Sequence, residues 1–71
     1  MCGNVKLTAK EIEVVELIDR GLSNKEIARE LQAELSTVKN HVHAILCKFR
    51  VNRRIMAAAE YHRQSEKKVN K

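Results

Sequence analysis

Apolar residues recur along most of the chain at spacings of three and four, which is the period of an amphipathic α-helix. The pattern breaks at Gly21, across Gln32 to Glu34, and at Val51-Asn52. These breaks predict four helices, over about residues 9–20, 24–32 and 35–49, with a fourth that follows a cap at Asn52. Only two aromatic residues and no proline are present, which suits a compact helical unit better than a β-sandwich. We therefore expect an all-α fold.

The first two helices begin with the same local signal, a capping box. Thr8 is followed by Glu11 and Ser23 by Glu26, so each pair can satisfy two backbone amides that would otherwise lack partners. Helix 2 is short, and a tight turn separates it from helix 3. We expect Gln32 to take a left-handed conformation in that turn, at a cost of about 1 kcal/mol. Such a pair of helices is typical of a DNA-binding helix-turn-helix.

Helix 3 has two unlike faces. Its apolar residues are expected to point into the core, and they are Val38, Val42, Ile45, Leu46 and Phe49. Polar side chains then lie together on the opposite side. Among them, Lys39, Asn40 and His43 are of the types that hydrogen-bond base edges in the major groove. We therefore predict that helix 3, about residues 35–49, reads DNA through these three side chains.

Candidate phosphate contacts surround this face. The unpaired amides at the start of helix 2, beside Asn24 and Lys25, suit an anion because the helix dipole is positive there. The other candidates carry hydroxyl, imidazole or cationic groups and are Ser36, Thr37, His41, Lys48, Arg50 and Arg54.

The distribution of charge agrees with a polyanion partner. Residues 1–37 hold five Lys/Arg against seven Asp/Glu, whereas residues 38–71 hold nine against two, which gives a net charge of +5. Positive potential is therefore concentrated in one half of the chain. A chain this short buries only about 60% of its unfolded surface. We expect no deep cleft and no enzyme activity.

The cysteines do not indicate a disulfide framework or a metal site. Cys2 and Cys47 are the only two and lack CxxC spacing, so thiols in a reducing cytoplasm are expected. His43 and Cys47 lie one turn apart, but structural zinc needs four ligands, and we expect no metal or cofactor. No apolar run approaches the roughly 20 residues of a membrane span, and no signal peptide is visible.

Three blocks carry a family resemblance: Leu7-Thr8-x-x-Glu11, then Gly21-Leu22-Ser23-Asn24-Lys25-Glu26-Ile27-Ala28, then Ser36-Thr37-Val38-Lys39-x-His41-Val42. At this spacing the chain resembles the LuxR/GerE-type helix-turn-helix family over residues 7 to about 62. The resemblance implies a four-helix fold with helices 2 and 3 as the DNA-reading unit. We expect a domain at residues 7–64, between a flexible segment (1–6) and a charged tail (65–71).

The resemblance also implies function. It indicates sequence-specific binding to double-stranded DNA by a transcriptional regulator. Such a domain is usually the output domain of a larger response regulator or autoinducer sensor and less often a free-standing regulator, with RNA polymerase as a further candidate partner. It implies base reading at Lys39, Asn40 and His43, and DNA-backbone contacts at Thr37 and His41. Helix 4 commonly supplies a two-fold dimer contact in this family, which would place the chain on inverted half-sites. The candidate dimer residues are Ile55, Ala58, Ala59 and His62.

Two questions stay open at this point. Ile55 and Ala59 can form the dimer contact or can equally well pack on helix 1. The basic surface can also belong to a protein-interaction module that docks an acidic partner. Binding to single-stranded nucleic acid is disfavoured, because it normally uses several aromatic side chains on which bases stack. Phe49 is expected in the core, which leaves Tyr61 as a single aromatic residue for stacking.

The sequence departs from the family pattern at the start of helix 3. Glu34 stands where the family usually has Ser or Thr, so the helix lacks its usual cap, at a cost of about 1 kcal/mol. Ala33 replaces a larger core residue. Leu35 is apolar where the family is commonly polar, which marks either a partner contact or an isolated surface leucine.

Overall fold

The structure, a computed structural model, describes residues 6–69, with side-chain burial assigned up to residue 64. Four helices and no strand make up this part of the chain. The helices are α1 (Ala9–Asp19), α2 (Asn24–Leu31), α3 (Leu35–Phe49) and α4 (Arg54–Val69). The all-α, four-helix prediction is confirmed, and the first three helices agree with their predicted bounds to within one residue.

Both predicted capping boxes are formed. The Thr8 amide donates to Glu11 Oε1 at 2.9 Å, and the Glu11 amide donates to Thr8 Oγ1 at 3.2 Å. The corresponding distances in the second box, between Ser23 and Glu26, are 2.8 and 3.2 Å. Each box satisfies two amides in the first turn of its helix, so these starts are encoded locally.

Left-handed residues end α2 and α3. Gln32 has φ 54° and ψ 46°, as predicted, and lets the chain turn from α2 into α3. Arg50 has φ 58° at the end of α3, which the sequence analysis did not predict. At the start of α3 the side chain of Glu34 makes no capping hydrogen bond, in agreement with the expected loss of the cap.

The core lies where α1 packs against α3 and α4, with α2 against α3. Its fully buried large side chains are Val14, Val15, Ile27, Val38 and Ile45. In α4 the buried residues are Ala57 and Ala58, whereas Ile55 is 71% exposed and Ala59 is also exposed. The alternative in which Ile55 and Ala59 pack on α1 is therefore wrong. The small side chains of Ala57 and Ala58 face the core instead, and they allow α4 to approach α1 closely.

The start of α4 differs by one residue from the expected cap at Asn52. The carbonyl of Arg53, not Asn52, accepts the first bond of α4, from the Ala57 amide at 3.1 Å. The helix then continues to Val69, into the segment predicted as a charged tail. Pairing of Glu60 with Arg63 supports the helix beyond the apolar stripe, because residues three apart are neighbours on a helix. Residues 1–5 and 70–71 of the predicted flexible segment and tail lie outside the described residues.

Within residues 6–69, no helix combines the length and the apolar composition needed to cross a membrane.

Candidate nucleic-acid interface

The outer face of α3 presents the predicted base-reading groups. Lys39, Asn40 and His43 are all exposed, whereas Val38 and Val42 on the inner face are buried. His43 lies four residues after Lys39 and three after Asn40, spacings that place side chains on one side of a helix. The three polar groups therefore protrude together, and together they offer an ammonium, an amide and an imidazole to a groove.

Hydroxyl and cationic groups border this face. Ser36 and Thr37 are exposed in the first turn of α3, which contains no acidic residue. Lys25 is exposed in the first turn of α2, and Arg50 is exposed at the end of α3. His41 is half-buried on the flank of α3. These five groups lie in α2, in α3 or directly after α3, and four of them are exposed.

Lys48 is occupied inside the domain. Its Nζ donates to Glu11 Oε1 at 2.7 Å and to the carbonyl of Lys6 at 3.1 Å, and its side chain is only 14% exposed. Burial alone would raise the pKa of Glu11. The hydrogen bond from Lys48, the bond from the Thr8 amide and the positive charges of Lys48 and His41 outweigh burial and lower that pKa below its ordinary value of 4.5.

Arg54 joins the start of α4 to the start of α2. Its Nη1 donates to Asn24 Oδ1 at 2.7 Å, and its Nη2 donates to the carbonyl of Leu22 at 3.1 Å. Both Arg54 and Asn24 are half-buried. Two residues predicted as separate phosphate contacts therefore bond to each other.

The predicted dimer residues line one groove of about 510 Å³ between α1 and α4. Ile55, Ala59 and His62 are exposed there, whereas Ala58 is buried. His62 Nε2 lies 2.8 Å from Asp19 Oδ2, a further residue of the groove. The structure thus brings the four residues together on a surface separate from the outer face of α3.

Cys47 corrects one expectation of the sequence analysis. It is exposed on α3 but disulfide-bonded, whereas we expected a thiol. Cys2 lies outside the described residues. Among residues 6–69 no three His, Cys, Asp or Glu side chains are grouped as metal ligands.

The sequence analysis missed the two internal partnerships, Lys48 with Glu11 and Arg54 with Asn24. One signal was available for Lys48, which lies three residues after the buried Ile45 and therefore borders the apolar stripe of α3. No sequence signal connects Arg54 with Asn24, which lie 30 positions apart.

Comparison with known proteins gives consistent matches. A family model described as "Bacterial regulatory proteins, luxR family" matches residues 5–61. The transcriptional regulatory protein LiaR of Bacillus subtilis is 46% identical over 57 residues, which are 80% of this chain and 27% of that protein. The nitrate/nitrite response regulator protein NarL of Escherichia coli is 42% identical over 59 residues, 83% of this chain and 27% of that protein. The chain spans about a quarter of the length of these relatives.

Proposed function

This chain belongs to the luxR family of bacterial regulatory proteins, and we propose that it reads double-stranded DNA by placing α3 in the major groove. It is a DNA-binding helix-turn-helix domain of a transcriptional regulator and not an enzyme. Because the relatives are about four times longer, we propose that it acts as the output domain of a longer response regulator. That regulator would work in the cytoplasm, where it would meet RNA polymerase.

The observation that carries this proposal is the outer face of α3. Lys39 can donate to guanine O6 and N7, Asn40 can pair with adenine N6 and N7, and His43 can contact either purine edge. All three are exposed on one side of a helix whose other side anchors it in the core. A helix of this kind fits the major groove, which is about 12 Å wide.

The phosphate contacts we propose come from both helices of the motif. Lys25, Ser36, Thr37 and Arg50 are exposed and available for direct contact, and Asn24 and His41 are half-buried beside them. Lys48 and Arg54 belong to the same set, but they already bond to other residues of the domain. We expect these bonds to leave them fewer donors for direct contact with phosphate.

A second copy of the chain is the proposed occupant of the α1–α4 groove. Ile55 is the most exposed of the large apolar side chains there, and a two-fold contact would bury it against the same residue set of the other copy. Ile55, Ala58, Ala59 and His62 would form the contact. Two copies would then read inverted half-sites about one helical turn apart.

Selection of bound sequences from a random duplex library tests this function. We expect a preferred site with two inverted half-sites, and variants K39A, N40A and H43A should each relax preference at particular base pairs. A matched control, K25A, should weaken binding about equally for all sequences and reduce the slope of log K against log salt by about 1. Equal binding of the unaltered chain to every duplex would contradict base reading. No binding to any duplex would favour the protein-interaction alternative.

A further inference from the structure

The start of α2 is held by a side chain from outside the helix-turn-helix. Arg54, the first residue of α4, bonds to Leu22 on one side of the cap residue Ser23 and to Asn24 on the other. One guanidinium therefore spans the cap, because its planar fork presents several donors at fixed angles. Arg54 thus holds the start of α2 on both sides of its cap residue.

This bond determines the orientation of the Asn24 amide. Arginine has no acceptor, so only the oxygen of the Asn24 side chain can face it. The Nδ2 group of Asn24 makes no hydrogen bond to any of residues 6–69, and the side chain is half-exposed. Contact with Arg54 therefore leaves Asn24 with a donor group at the positive end of the α2 dipole.

We propose that Arg54 is a positioning residue for DNA binding, which orients Asn24 so that its Nδ2 donates to a phosphate oxygen. The inference rests on the proposed placement of the start of α2 against the DNA backbone. Arg54 acts through Asn24 and does not itself need to reach the phosphate. Its effect on DNA affinity should therefore depend on Asn24.

A double-mutant cycle tests this dependence. R54Q, N24A and the double variant are compared with the unaltered chain for binding to its selected duplex and to an unrelated duplex. We expect each single change to weaken binding to both duplexes by about five- to tenfold, since phosphate contacts carry no base preference. The double variant should bind no more weakly than the weaker single variant. If the fold-changes multiply, Arg54 acts independently of Asn24 and the proposal is overturned.

R53Q is the matched charge control. It removes one positive charge at the neighbouring position, where the exposed arginine makes no described side-chain bond. Its effect on affinity should multiply with that of N24A, because the two residues share no contact. If the effects of R53Q and N24A on affinity do not multiply, the coupling seen with R54Q is a general effect of charge. That result would count against the proposal.

N24D gives an answer even where R54Q is poorly folded. Aspartate is nearly isosteric and keeps an oxygen for Arg54, but it replaces the Nδ2 donor with a second, negatively charged oxygen. We expect thermal stability to be retained and DNA affinity to fall further than in N24A. Amide NMR adds a direct readout, in which the Asn24 side-chain NH₂ signals of the unaltered chain should shift on addition of duplex.

Retained affinity in N24D, or unshifted Asn24 NH₂ signals in a saturated complex, would overturn the positioning role while leaving DNA binding by α3 intact. Failure of the unaltered chain to bind any duplex would instead overturn the proposed function.

Discussion

The two capping boxes share one backbone geometry but have different surroundings. Around Ser23 the box is exposed, and Glu26 bonds within its own turn. Around Thr8 the carboxylate of Glu11 is buried and also receives Lys48 from α3. The same local motif is thus a helix start in one place and, in the other, part of the contact between α1 and α3. A local signal predicts where a helix begins but not what else its residues hold.

The largest effect is expected from removal of the Lys48 ammonium. In K48M the buried Glu11 carboxylate keeps, among residues 6–69, only its bond from the Thr8 amide, so the free energy of unfolding should fall by about 2–3 kcal/mol. Urea denaturation measures this loss. K10M is the control, because Lys10 and Glu13 are 3.5 Å apart and more than half exposed, and it should cost under about 0.5 kcal/mol. Similar losses in both variants would contradict a special role for the Thr8 box.

Acid should weaken the same contact. Because the pKa of Glu11 is lowered on folding, its carboxylate stabilises the fold above the ordinary pKa of 4.5, and this contribution is lost as pH falls through the folded-state pKa. Unfolding free energies measured from pH 7 to pH 3 should therefore decline more steeply in the unaltered chain than in E11Q. Parallel curves would show that Glu11 does not carry the difference between the two boxes.

The two capping boxes also show which features of the structure can be predicted from the sequence. The cap residues, the left-handed Gln32 and the polar face of α3 follow from local pattern, because each depends on residues within a few positions. The partners of Lys48 and Arg54 depend on how the helices pack against each other. The spacing of apolar residues within one helix does not encode that packing. Ile55 illustrates the same limit, because the rotation of α4 that exposes it is set by the close packing of Ala57 and Ala58.

The exposed box should contribute an ordinary capping energy. S23A removes the hydroxyl that accepts from the Glu26 amide and should cost about 1 kcal/mol in thermal or urea unfolding. S36A is a matched control in the first turn of α3, where the serine is exposed and is not the cap. We expect it to change stability by under about 0.5 kcal/mol. A loss in S23A as large as that in K48M would remove the distinction between the two boxes.

The smallest effect concerns α3, which has no box. E34S supplies the missing hydroxyl and should raise the free energy of unfolding by about 0.5 kcal/mol, less than a full cap because the Glu34 charge already favours the helix dipole. E34A, which adds no hydroxyl, should bring no gain. An equal gain in both variants would mean that removal of the glutamate, and not capping, is responsible.

The bond between Lys48 and Glu11 has a kinetic consequence. A neutralised pair adds little to the long-range field, so encounter with a polyanion is steered by cations that remain in solvent, such as Lys25, Lys39, Arg50 and Arg53. The net positive charge of residues 38–71 therefore overstates the attraction that accelerates association with DNA. Of the two lysines of α3, Lys39 is therefore expected to steer association, whereas Lys48 holds α3 against α1.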